Sequence, residues 1–179
     1  QGELIRRDTG KEFSAVFGSF DRSGESVSQQ TWTLWTAGRL DLESSVVDDA
    51  FAKLAREMSR PLNARIQSLR ILGHRIRHSQ KWGPLPEDAL QQVFDEEPRI
   101  RLAAVLAIRR AKQNPAIDVL LDALSQESDR VVFYAGWQTM REISPSKMRH
   151  QLLTDPRPLV RRAALLSLAE DRDLAEAEV

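Results

Sequence analysis

Cysteine is absent from the 179 residues, which excludes a disulfide framework, a thiol nucleophile and thiolate-bound metal, and leaves the compartment open. An excess of charge of either sign is missing too. The 26 Lys and Arg balance 26 Asp and Glu, so no global field draws the chain to nucleic acid or an acidic membrane. No apolar run approaches the ~18 residues that a membrane-spanning helix needs. No Gly-rich phosphate loop, Gly-x-Ser-x-Gly elbow or His-Glu-x-x-His occurs, so no catalytic residue, cofactor or metal is assigned. There is neither a signal peptide nor an initiator Met. Gln1-Gly2 reads as the tail of a tag-protease site, which would make the chain a piece excised from a larger protein.

What is present is a repeat. Val160-Arg-Arg-Ala-Ala164-Leu-Leu-Ser-Leu168 is its clearest copy, and Ile100-Arg-Leu-Ala-Ala104-Val-Leu-Ala-Ile108 matches it closely. Ala64-Arg-Ile-Gln-Ser68-Leu-Arg-Ile-Leu72, Val132-Phe-Tyr-Ala-Gly136-Trp-Gln-Thr-Met140 and the weaker Gln29-Gln-Thr-Trp-Thr33-Leu-Trp-Thr-Ala37 follow. Their starts lie 35, 36, 32 and 28 residues apart, a period that marks stacked supersecondary units. Positions 0, +4 and +8 share one helical stripe, drifting about 40° per step. A small residue at +4 lets a neighbouring backbone approach, and larger residues at +5 and +8 fill the space beside it. Such a helix buries too little to stand alone and needs a partner helix and neighbouring repeats. Glu97-Pro98, Ser128-Asp129 and Asp155-Pro156 read as helix starts.

These residues resemble HEAT-like repeats of the phycobilisome-lyase type, whose pattern runs Asp-x-x-Val-Arg-x-x-Ala-x-x-x-Leu-Gly. Asp155-Pro-Arg-Pro-Leu-Val-Arg161-Arg-Ala-Ala-Leu-Leu-Ser-Leu168 fits best, and the resemblance spans about residues 28–170. It implies an all-α, right-handed α-solenoid of about five helix pairs. The Arg at +1 recurs at Arg65, Arg101 and Arg161 but is Phe133 and Gln30 elsewhere, which interrupts an arginine ladder. Residues 1–27 read as a short N-terminal β-hairpin or extended segment (strand, turn, strand over 3–17) followed by a polar loop over 18–28. Residues 28–179 then form the repeat domain, with pairs at 28–38 with 44–59, 61–80 with 86–95, 98–112 with 115–125, and 129–142 with 145–153. A last helix at 157–169 leads into an acidic tail.

Several constellations could carry function. From Met58 to Pro86 there is no acidic residue, and Arg70, His74, Arg77, His78 and Lys81 gather on one helical face with Trp82 just beyond. That pattern suits an anion or nucleic-acid face with rings available for stacking, or else a solvated face balanced by acids of adjacent repeats. His74 and His78 have metal-ligand spacing, but Arg75 and Arg77 would repel a cation. Trp32, Trp35, Phe133, Tyr134 and Trp137 read first as core fillers. Phe133-Tyr-Ala-Gly-Trp137 also resembles helices in alkylpurine DNA glycosylases built from HEAT-like repeats. Asp21-Arg-Ser-Gly-Glu25 lacks calcium-loop spacing and reads as a polar turn.

The expected function is a non-enzymatic scaffold. It would bind a protein partner, or neighbouring domains of its parent chain, through the concave face, with Gln91, Asp118, Asp122, Arg149 and His150 as candidate residues. Trp32-Thr-Leu-Trp-Thr-Ala-Gly-Arg-Leu40 and Arg101-Leu-Ala-Ala-Val-Leu-Ala-Ile-Arg-Arg110 are similar to the HEAT-like section of planctomycete-type multidomain dehydrogenase-like proteins. That section lies between a β-propeller and a c-type haem domain. The Cys-x-x-Cys-His haem motif is absent, so redox chemistry does not carry over. The alternative is a nucleic-acid-binding HEAT-like protein using the basic face of residues 60–82, and a further rival is a DNA-repair glycosylase-like or lyase-type enzyme. An enzyme of that kind requires a groove lined by both an aromatic and a carboxylate.

Overall fold

The structure, a computed structural model, describes residues 26–39, 45–78, 84–112 and 116–174. Among them it is all-helical and holds no strand. The order is α1 (Val27–Arg39), α2 (Ser45–Arg56), α3 (Leu62–His78), α4 (Glu87–Leu90), a 3-10 turn (Gln91–Phe94), α5 (Pro98–Ala111), α6 (Ile117–Gln126), α7 (Arg130–Ile143), α8 (Ser146–Leu152) and α9 (Pro158–Asp171). The expected hairpin at 3–17, the Asp21–Glu25 turn and the end of the acidic tail lie outside the described residues. No helix among the described residues is long and apolar enough to cross a membrane.

Helix α1 begins at Val27, inside the expected polar loop, because a capping box closes over it. The Gln29 N–H donates to Ser26 Oγ at 3.3 Å while the Ser26 N–H donates to Gln29 Oε1 at 2.8 Å. Asp129 caps α7 as expected, accepting from the N–H groups of Val131 and Val132. Asp155-Pro156 acts differently from expectation. Asp155 accepts from the Arg157 N–H at 2.9 Å and shapes a turn, and the helix starts later, at Pro158. The segment expected as one helix at 86–95 is a four-residue α-turn followed by the 3-10 turn.

The chain divides into two compact units, residues 1–89 and 90–179. In the first, α3 is the central helix, with α1 and α2 packed along it. Leu34, Ala37, Val47, Phe51, Leu69 and Leu72 form its core. Gly38 brings the α1 backbone onto α3 so closely that a Cβ there would lie 2.5 Å from Ile71 Cγ2.

In the second unit α5, α7 and α9 pack side by side. Helix α6 packs against α7, α8 against α9, and the 3-10 turn against α5 and α6. Helix α6 thus packs on both α7 and α9, and α8 on α9, as α2 packs on α3 in the first unit. The pairs read from the sequence, α5 with α6 and α7 with α8, are not the main packing partners. Gly136 supplies one reason: without a side chain it admits Leu124 of α6, whose Cδ2 would lie 2.6 Å from an added Cβ.

The repeat stripe is buried in four copies, at Ala64/Ser68/Leu72, Ile100/Ala104/Ile108, Val132/Gly136/Met140 and Val160/Ala164/Leu168. The first copy departs from it. Gln29 is exposed and Thr33 half-buried, and the close approach falls to Ala37 and Gly38 instead.

Candidate functional site

The arginines of the repeat are structural. Arg101 Nη1 donates to the carbonyls of Asp95 and Glu96 at 2.8 and 3.0 Å. Arg161 Nη1 donates to those of Asp155 and Pro156 at 2.7 and 3.0 Å. The offsets along the chain are identical, so each arginine staples the turn that precedes its own helix. Arg101 also holds Glu127 in a bidentate pair, both bonds 2.8 Å. Arg65 turns the other way, its Nε donating to the Ala55 carbonyl at 2.7 Å.

The link from layer to layer appears at the far end of the stripe. Arg109 of α5 pairs with Glu142 of α7, and Arg141 of α7 pairs with Asp171 of α9. The Arg109 hydrogen bond lowers the Glu142 carboxyl, and those of Arg149 and then Arg141 lower that of Asp171. Asp155 is held down to about 2, first by its side-chain bond to Arg157. These shifted carboxyls are accounted for by pairs that tie helices and turns together.

The anticipated anion face is brought together in part. Arg70, His74 and Arg77 are all exposed along α3, and the Trp35 ring meets His74 edge-on at 6.0 Å. The His78 side chain, Lys81 and Trp82 lie outside the described residues. Other bases of the acid-free stretch are structural. Arg75 is buried, and Arg60 pairs with Glu57 at 2.9 Å. Trp35 donates to Gln67 Oε1 at 3.1 Å and Asn63 donates to Thr31 Oγ1 at 2.8 Å, so a polar seam joins α1 to α3 beside that face.

The five anticipated concave-face residues take different positions. Gln91 and Asp118 are exposed. Asp122 is exposed and pairs with Arg157 at 2.6 Å. His150 is half-buried, 3.5 Å from Asp173. Arg149 is buried, its Nη1 turned onto Asp171 and the Ser167 carbonyl, because α8 packs directly on α9. It is an internal brace rather than a surface residue.

Of the aromatics, Phe133 and Trp137 are core, Trp35 is half-buried, and Trp32 and Tyr134 are 72% and 59% exposed. Tyr134 stands on the edge of Trp137, with ring centroids 5.3 Å apart at 83°. These rings line a groove of about 520 Å³ between α7 and α9, together with Leu159, Leu166, Arg130 and Arg162. Arg162 lies over the Phe133 ring, 5.3 Å from its centroid. Two carboxylates, Glu127 and Asp129, also line the groove. Glu127 is committed to Arg101 and Asp129 to the N-terminus of α7. Arg162 was not singled out from the sequence, since it reads as the second half of an Arg161-Arg162 doublet. The only signal available was that Arg161 would be consumed by its turn, leaving Arg162 to face outward.

A smaller groove of about 310 Å³ lies between the 3-10 turn and α6, floored by the Arg101–Glu127 pair. No protein-family model matches this chain, and no curated protein matches it.

Proposed function

We propose that this chain is a non-enzymatic protein-interaction or interdomain scaffold module: a right-handed α-solenoid of HEAT-like helix pairs that recognises its partner by shape and charge. The observation that supports it best is the like use of arginine in successive layers. Arg101 and Arg161 staple equivalent turns, and Arg109 and Arg141 each reach an acid of the next layer. Units joined by a common internal scheme leave their outer residues free to vary, which is how repeat stacks acquire unrelated partners. The neutral net charge suits recognition of a polypeptide over a polyanion. The test is a photo-crosslinking residue placed at Tyr134, Asp118 or Arg70 in the cell. Adducts to polypeptide are expected; adducts to nucleic acid alone would overturn the reading.

A second reading, a nucleic-acid-binding HEAT-like protein, is favoured by the exposure of Arg70, His74 and Arg77 on one face of α3. It requires a salt-sensitive complex with an oligonucleotide that the double variant Arg70→Glu/Arg77→Glu abolishes. Binding that persists in that variant, or no binding by the parent chain, rejects it.

A further inference from the structure

We propose that the groove between α7 and α9 docks a peptide segment in which acidic side chains flank one bulky apolar side chain. This rests on the interaction-module reading above and names the chemistry of the partner. Phe133, Tyr134, Trp137, Leu159 and Leu166 supply an apolar wall, and the volume of about 520 Å³ lies in the range that holds a compact ligand group. Tyr134 is 59% exposed although its ring already rests on Trp137, so one face of an aromatic pair is left uncovered. Anchors of this kind are two-torsion rings that lose little entropy when covered.

The charges of the groove set the sign of the partner. Its two carboxylates are spent, Glu127 on both arms of Arg101 and Asp129 on two backbone N–H groups of α7. Its two arginines are not: among the described residues neither Arg130 nor Arg162 has an acidic partner. Arg162 is restrained over Phe133, so part of the ordering cost of holding a carboxylate is already met. Separate carboxylates on a peptide can meet Arg130 and Arg162 one at a time. A phosphate backbone would bring a row of charges against Glu127 and Asp129 in the same groove, which disfavours nucleic acid.

The test is fluorescence anisotropy on the whole chain with labelled peptides Asp-Glu-Leu-Asp-Glu, Asp-Glu-Phe-Asp-Glu and Asp-Glu-Trp-Asp-Glu. A Lys-Lys-Phe-Lys-Lys peptide, an all-Glu peptide and a single-stranded oligonucleotide serve as comparisons. The apolar-centred acidic peptides should bind, and the Lys and all-Glu peptides should not. Arg162→Glu and Tyr134→Ala, both at exposed positions, should each weaken binding by about tenfold or more, while Arg110→Glu on α5 leaves it unchanged. Circular dichroism confirms that the variants stay helical. Three results overturn the proposal: no acidic peptide binds, the oligonucleotide competes for the groove, or binding ignores Arg162 and Tyr134. If instead Arg70→Glu abolishes peptide binding while Arg162→Glu does not, the docking site falls but the interaction-module reading survives.

Discussion

Arg75 of α3 donates its Nε–H to Oδ1 of Asp48 on α2 at 2.7 Å, with the arginine side chain 1% exposed and the aspartate 11%. Its Nη1 reaches the Gly38 carbonyl of α1 at 3.0 Å, so one guanidinium joins three helices. Burial pushes the Asp48 carboxyl up in spite of the opposing hydrogen bond and charge of Arg75. The charge of the neighbouring Asp49 pushes in the same direction as burial.

That balance predicts an asymmetric double-mutant cycle. Asp48→Leu or Arg75→Met alone breaks a buried ion pair and should cost about 3–5 kcal/mol. The double variant should lie within about 1–2 kcal/mol of the parent, or above it. Urea denaturation of the four proteins measures this. A double variant as unstable as the worse single one would contradict it.

Close helix approach makes two glycines unequal. Gly38→Ala drives a Cβ against Ile71 Cγ2, a branch fixed at its own Cβ, and should cost about 1–3 kcal/mol. Ile71→Leu, which removes that branch, should restore part of the loss. Gly136→Ala meets the terminal Cδ2 of Leu124, the far end of a flexible side chain, with Cγ behind it at 3.2 Å. The gain in helix propensity of about 1 kcal/mol should then nearly offset the contact. Thermal melting that ranks the two glycines in the reverse order would refute the argument.

The two turn-stapling arginines should also differ. Arg101→Ala leaves Glu127, whose side chain is only 4% exposed, with the Asp129 N–H but no cation, and should cost about 2–4 kcal/mol. Arg161→Ala loses only two bonds to carbonyls, worth about 1–2 kcal/mol together. Hydrogen exchange should quicken in the turn before α5 in the first variant and before α9 in the second. Equal destabilisation of the two would count against the distinction.

Acid should loosen the turn before α9. The Arg157 guanidinium holds the Asp155 carboxyl down to about 2 from its ordinary 3.8. A group lowered in the folded state contributes fully above 3.8 and loses that contribution as pH falls toward about 2. Asp48, whose carboxyl is raised, changes stability in the opposite sense, so the comparison must be between the parent and Asp155→Asn. The parent should lose more of its melting temperature than the variant between those two pH values. Parallel curves would show that Asp155 does not contribute.

Two helices end on non-glycine residues in the left-handed region, Lys112 at φ 49° and Arg172 at φ 54°. Both sit four residues past the last stripe position, Ile108 or Leu168. Lys112→Gly and Arg172→Gly should each stabilise by about 0.5–1 kcal/mol, because glycine pays no Cβ penalty there. Unchanged denaturation midpoints would show the strain to be absorbed elsewhere.

Helix positions and the buried stripe were legible in the chain because both follow from local rules. A 3.6-residue period needs only the spacing of Ile100, Ala104 and Ile108, and a helix start needs only Asp129 or Glu97-Pro98. The fate of the charges was not legible to the same degree. Arg70 and Arg75 look alike in sequence, yet one is exposed and the other is the most voluminous fully buried side chain among the described residues. Arg149, anticipated on the surface, is buried for a related reason: it answers to Asp171 on a helix distant in the chain.

The sequence by itself determined that the chain is helical where it is described, which residues face inward along four of the five stripes, and that no excess charge directs it to a polyanion. Only the tertiary structure decided which arginines are consumed, which aromatics stay exposed, and which helix packs on which. Periodicity is a property of a few successive residues. An ion pair such as Arg101 with Glu127, or a groove such as that between α7 and α9, exists only when segments 26 or more residues apart are brought within bonding distance.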